Sequence, residues 1–194
     1  MTTLRHDFMV SAVRRVISRA SCASSAEPAY RHLRRSSQRE GAEGQRRGDI
    51  LAVLPGGRIS VLDVVVTHPA APSYVAAAAR SDGAAAKRAA DRKQQEFCRF
   101  GDQAQYTFVP FAVETYGRLG DDALGFVNAL ATIAAANGRV SKATFVANAL
   151  RELSCSLQQG NARMYARSLF EVARAGGRQF MPGCEVPVAA MGLV

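Results

Sequence analysis

Two short apolar runs, Ile50–Leu54 and Ile59–Val66, flank the turn Pro55-Gly56-Gly57-Arg58. Both are rich in Ile, Val and Leu, and a Pro followed by two Gly supplies the fixed and the permissive backbone angles of a tight reversal. The pattern predicts two paired strands. Upstream, Leu4–Ala20 has the spacing of a helix, with Met9, Val13, Val16, Ile17 and Ala20 on one face and Arg14, Arg15 and Arg19 elsewhere. Between the two lies a shift in composition, Ser21–Gly48, with little to bury. Ala26–Leu33 is a candidate short strand there, and Arg31–Arg47 reads as a mobile loop.

Beyond the hairpin, Pro69 and Pro72 stop the second strand. Tyr74–Phe97 reads as an Ala-rich helix carrying Lys87, Arg88, Arg92 and Lys93, with Gly83 able to split it. Tyr106–Glu114 alternates with aromatic and β-branched residues and predicts a further strand, placed at an edge or a bulge by Pro110. The last third is helical. Asp121–Ala136 sets Leu124, Val127, Ala131 and Ala134 on one face, and Asn137-Gly138 ends it. Ser141 caps a next helix with Phe145, Ala149, Leu153 and Leu157 inward, stopped by Gln159-Gly160. Asn161–Ala175 then forms a fourth, with Tyr165, Leu169 and Val172 inward. The expected fold is α/β: a small mixed sheet of three to five strands, flanked by the first helix and the Lys-bearing helix. Residues 1–118 form that unit, 119–176 a C-terminal helical segment and 177–194 a loosely structured tail.

Composition sharpens the functional side. The 194 residues carry a formal net charge of +9, and residues 1–48 hold ten Arg against four acids. Such an excess favours a polyanionic partner, nucleic acid first and an anionic membrane surface second. No apolar run approaches the roughly eighteen residues that a membrane span needs. The four cysteines, Cys22, Cys98, Cys155 and Cys184, are far apart and lack a C-x-x-C, so they read as reduced, mostly buried thiols of an intracellular protein. The Arg- and Ser-rich first helix also has the composition of a mitochondrial presequence.

Two carboxylates carry the candidate chemistry. Asp49 stands at the mouth of the first strand of the hairpin, and Asp63 interrupts the second inside Val61-Leu62-Asp63-Val64-Val65-Val66. A carboxylate in a buried strand is costly unless paired, hydrogen-bonded or bound to a metal. Their separation of fourteen residues is one a hairpin uses to bring both acids to one end, and two such oxygen ligands can hold Mg²⁺ with water and substrate phosphate. The pattern is also that of an ordinary hairpin, with Asp49 in a turn and Asp63 satisfied by backbone amides. Glu114 is a candidate third carboxylate, although acids at strand ends commonly face water. The three His have no metal-ligand spacing among themselves, and neither a phosphate-binding loop nor a G-x-S-x-G occurs.

The order of these features is itself informative. A helix, a basic loop, Asp49, the Gly-Gly turn, Leu62-Asp63-Val64-Val65-Val66, His68-Pro69, a Lys-bearing helix, then Phe108-Val109-Pro110 and Glu114-Thr115-Tyr116-Gly117 resembles the restriction-enzyme-like endonuclease domain. That domain follows the reverse transcriptase in some non-LTR retrotransposon polyproteins and belongs to the PD-(D/E)XK nuclease superfamily. The resemblance covers roughly residues 5–120, and Ala149–Leu153 and Gln159–Ala162 are similar to the tails of such proteins; the polymerase itself is absent. It implies that Asp49 and Asp63 are the metal-binding acids for Mg²⁺ or Mn²⁺, with Lys93 before Phe97 as the lysine and Lys87 as the second choice. Gly48 stands where the family has Pro, and Val65 where the wider superfamily has Lys, so the lysine must come from the helix. Arg5-His6-Asp7 resembles the end of a zinc knuckle, with His6 a lone surviving ligand that binds no zinc. The implied activity is nicking of target DNA in the nucleus, with Arg14, Arg15, Arg34, Arg35, Arg46 and Arg47 on backbone phosphates of DNA or RNA. A remnant that binds nucleic acid without cleaving it is the alternative of a different class.

Overall fold

A computed structural model describes residues 4–26, 48–100, 106–138 and 140–176. Helix α1 (Leu4–Arg19) is followed by β1 (Ala23–Ala26), β2 (Ile50–Leu54), β3 (Arg58–Thr67), the short α2 (Val75–Ala78), α3 (Ala84–Phe100), β4 (Tyr106–Glu114), α4 (Asp121–Ala136) and α5 (Lys142–Gly176). The predicted α/β class holds. Four strands form one mixed sheet in the order β1-β2-β3-β4. β1, β2 and β3 are antiparallel neighbours, while β4 runs parallel to β3 in the register Asp63↔Pro110. A parallel pair needs a long crossover, and α2 and α3 supply it.

The hairpin forms as its sequence requires. Leu54 pairs with Arg58, and Pro55–Gly57 make the reversal. Gly56 and Gly57 take φ of 79° and 74°, backbone angles that cost a side-chain-bearing residue but not Gly. Pro110, which has no N–H to donate, sits on β4 at the sheet edge, as expected. Gly83, at φ 76°, separates α2 from α3.

Alternation along the strands divides the residues between two faces. Leu62 and Val64 of β3 and Val109, Phe111 and Val113 of β4 join the main core, with Met9, Val13, Val16 and Ile17 of α1, Phe126, Val127 and Leu130 of α4, and Phe145, Leu153 and Leu157 of α5. One core therefore runs through the first helix, the sheet and both C-terminal helices. The opposite face belongs to α3. There Val61 packs with Phe97, and Val65 and Ala112 with Ala86, Ala89 and Ala90.

Several expectations need correction. α5 does not stop at Gln159-Gly160; it continues to Gly176. A Cβ at Gly160 would lie 2.8 Å from Arg5 Cα, so this Gly allows α1 to press against α5. Beyond it, Tyr165 (75% exposed), Leu169 (68%) and Val172 face outward, not inward. Leu124 is exposed and not inward, whereas Val127, Ala131 and Ala134 are buried as predicted. Cys22 is buried, but Cys98 and Cys155 are exposed. A strand does precede the basic stretch, at Ala23–Ala26; the rest of Ala26–Leu33, the stretch to Arg47, the tail from 177 and Cys184 lie outside the described residues.

Candidate functional site

β3 overhangs the start of β2, and the two acids meet at this step. Asp49, the residue before β2, donates its N–H to the Leu62 carbonyl at 3.0 Å, and its Oδ2 accepts the Val64 N–H at 2.6 Å. Main chain and side chain of Asp49 thus bond the two residues on either side of Asp63. The carboxylate continues the ladder past the end of β2, satisfying an N–H that the overhang leaves without a strand partner. The fourteen-residue spacing does bring both acids to one end of the hairpin.

Their side chains then part company. Asp63 lies on the α3 face between Val61 and Val65, only 8% exposed. Lys93 Nζ lies 3.0 Å from Oδ1 and 3.0 Å from Oδ2 of Asp63, so the ammonium sits astride the carboxylate. A charge buried in a strand is tolerable when paired in this way. Lys87 is exposed and lines a surface recess with Asp82, Asp91 and Asp121. Six residues of helix turn through about 600°, so Lys87 and Lys93 point to different sides of α3. Of the two lysines, the fold brings Lys93 to Asp63.

Asp49 turns toward α1. His6 Nε2 lies 3.1 Å from Asp49 Oδ2, with Asp7 a longer 3.4 Å from Nδ1. The hydrogen bond to Asp49 raises the His6 pKa above its ordinary 6.5, against an opposing effect of burial, with smaller help from Asp7. Next to it, Arg5 donates to Asn161 Oδ1 at 3.2 Å, and Asn161 Nδ2 donates to the Thr115 carbonyl at 3.0 Å. Burial lowers the pKa of Arg5. His68 Nδ1 lies 2.7 Å from Thr115 Oγ1, and its ring meets the exposed Tyr116 edge-on at 5.5 Å. α1, the ends of β3 and β4, and the middle of α5 therefore converge beside Asp49.

Sequence reasoning valued His6 only as a vestigial zinc ligand. Its place on the face of the first helix that carries Met9, Val13 and Ile17 was the available signal. Glu114, the candidate third carboxylate, does not face water as strand-end acids commonly do: it is 6% exposed, and its Oε1 accepts the Ala86 N–H in the first turn of α3 at 3.1 Å. It anchors the Lys-bearing helix, whose N-terminus favours a negative charge.

Among the cationic candidates, Arg14 is exposed and lines an open recess with Ser11, Arg15, Ser18 and Ser24. Arg15 is engaged instead: its Nε lies 2.6 Å from Glu152 Oε1 and an Nη donates to Ser156 at 3.1 Å, while Arg19 lies 2.6 Å from Glu152 Oε2. Those pairs tie α1 to α5. Arg34, Arg35, Arg46 and Arg47 lie outside the described residues.

Carboxylate oxygen is the donor type that a hard divalent cation takes, although Asp49 and Asp63 are held by different helices, through His6 and Lys93. Both Asp49 contacts fall on Oδ2, leaving Oδ1 outside them. Among the described residues no group of three or more His, Cys, Asp or Glu side chains converges on one point. Mg²⁺ is commonly held by one or two carboxylates with waters and substrate phosphate. Among the described residues no helix is long and apolar enough to cross a membrane. Compared with known protein families and with curated proteins, the chain matches none of either.

Proposed function

We propose that the protein is a metal-dependent DNA endonuclease of the restriction-enzyme-like, retroelement-derived kind, nicking DNA by phosphodiester hydrolysis. The observation that carries this reading is the grouping at the β2–β3 step: Asp49 bonded to both neighbours of Asp63, and Lys93 astride the Asp63 carboxylate. It supports the acids and the lysine that the resemblance implies, in a mixed sheet flanked by the helices that the resemblance requires.

Asp49 and Asp63 would hold Mg²⁺ or Mn²⁺. Such an ion supplies Lewis-acid polarisation of the phosphate and a water of lowered pKa. Lys93 carries three donors on a flexible stem. It can exchange one contact on Asp63 for a phosphate oxygen or the attacking water, and so offset charge that grows in the transition state. Arg14, with the Arg of the 27–47 stretch, would hold backbone phosphates, which position a duplex without reading its sequence. We read α1 as part of the folded domain and not as a presequence, because removing it would strip four large side chains from the core and His6 from Asp49. A nuclear location follows from the DNA substrate under this reading.

A second reading, a nucleic-acid-binding module without cleavage, is favoured by the fact that each acid already has a protein partner, His6 and Val64 for Asp49 and Lys93 for Asp63. Supercoiled plasmid with Mg²⁺ or Mn²⁺ separates the two. Nicking by wild type and none by Asp63→Asn is the expected result. Salt-sensitive DNA binding with no nicking by either protein replaces the nuclease with the binding module.

A further inference from the structure

We infer that His6 is a positioning residue for Asp49, donating Nε2–H to Oδ2 across 3.1 Å so that the carboxylate is held in the orientation that offers Oδ1 to a divalent cation. The inference rests on the nuclease reading of the site and extends it to α1. The ionised carboxylate can only accept hydrogen bonds, so the ring nitrogen facing it is the one that carries the proton. Val64 N–H already fixes Oδ2 from the strand side at 2.6 Å. A second donor from the helix side resists rotation of the carboxylate about its last bond, leaving Oδ1 outside both contacts.

The ring itself is held in place. Its backbone neighbour Arg5 is tied to Asn161 and packed at Gly160, and Arg163 stacks over Phe8 at 4.8 Å. The first turn of α1, which carries His6, is therefore fixed against α5. Such outer-shell donors orient metal-binding groups, and their loss commonly weakens metal affinity by about 10–100-fold. No other described side chain bonds to Asp49, so nothing replaces His6 there.

The test compares wild type with His6→Leu, His6→Gln, His6→Asn and Asp63→Asn as full chains. Mn²⁺ binding is read from the electron paramagnetic resonance of the free ion and from the Mn²⁺-induced rise in Tm. The Mn²⁺ dependence of plasmid nicking is measured alongside. Gln places an amide N–H where Nε2 stands; Asn falls short. His6→Leu should weaken Mn²⁺ binding about tenfold or more and move nicking to higher Mn²⁺, with the saturated rate changed less. His6→Gln should recover most of the affinity and His6→Asn should not. Should His6→Leu fail to fold, the Gln–Asn comparison decides, and equal affinity in those two overturns the inference. Wild-type affinity in a folded His6→Leu overturns it too, and if Asp63→Asn still loses binding, the nuclease reading survives. Absence of both Mn²⁺ binding and nicking in wild type overturns that reading and this inference together.

Discussion

Lys93 and Lys87 stand six residues apart on one helix, and only the first reaches Asp63. Spacing on α3 shows that they point to different sides, but not which side meets β3. That depends on how Ala86, Ala89, Ala90 and Phe97 seat the helix on the sheet, a matter of packing across residues far apart in sequence. The difference is measurable. Lys93→Met leaves a nearly buried carboxylate without its ammonium, which we expect to lower unfolding free energy by about 1–3 kcal/mol, below the range for deleting one partner of a fully buried pair because Lys93 retains some exposure. Lys93→Met should also lose nicking. Lys87→Met should change stability by no more than about 0.5 kcal/mol, as for other exposed positions, and keep activity. Urea unfolding and plasmid nicking check both. Asp63 itself was legible because a carboxylate amid Val and Leu demands a partner. His6 was not, since its partner lies forty-three residues on and no local pattern links them.

At the scale of elements, strands and turns were read well where local chemistry fixes them: the Gly-Gly hairpin, the edge position of Pro110, the split at Gly83, and the Ser141 cap, whose Oγ accepts the Thr144 N–H at 3.1 Å. The break placed at Gly160 was wrong for an instructive reason. A Gly lowers helix stability by about 1 kcal/mol relative to Ala, which reads as a stop. Here the missing side chain admits the backbone of α1, and the contact offsets the loss. Gly160→Ala should therefore destabilise the protein despite the better helix former, by about 1–3 kcal/mol as an overpacked contact. A rise in the urea midpoint for Gly160→Ala would show that the helices do not cross there. The outer half of α5 exposes Tyr165, Leu169, Phe170 and Val172. Its periodicity was visible in sequence, but which residues cover an apolar stripe, if any do, is not a local property.

For the whole molecule, the α/β class and a mixed sheet flanked by the first helix and the Lys-bearing helix followed from the alternation of strand and helix patterns, whereas the parallel pairing of β3 with β4 was not read. The net charge of +9 is a property of composition and was never in doubt; its placement is less even. Arg15 and Arg19 spend their charge on Glu152, so the α1 surface is less basic than its sequence suggests. The Arg-rich stretch between the first two strands must then supply a large part of any attraction to phosphate. β1 and β2 are antiparallel, with Ala26 opposite Ile50. The chain therefore leaves the sheet and returns to it at neighbouring points, whatever lies between. For a segment tethered in this way, the entropy of closing the ends grows only with the logarithm of length, about 0.6 kcal/mol for each doubling. Length at this position is thermodynamically cheap to change. Replacing residues 29–46 by a short Gly-Ser linker should leave the Tm within a few degrees. It removes five Arg, so the slope of DNA affinity against salt should flatten while Asp49, Asp63 and His6 keep their places. Under the proposed nuclease reading, anion binding and hydrolysis would thus be separable by one excision.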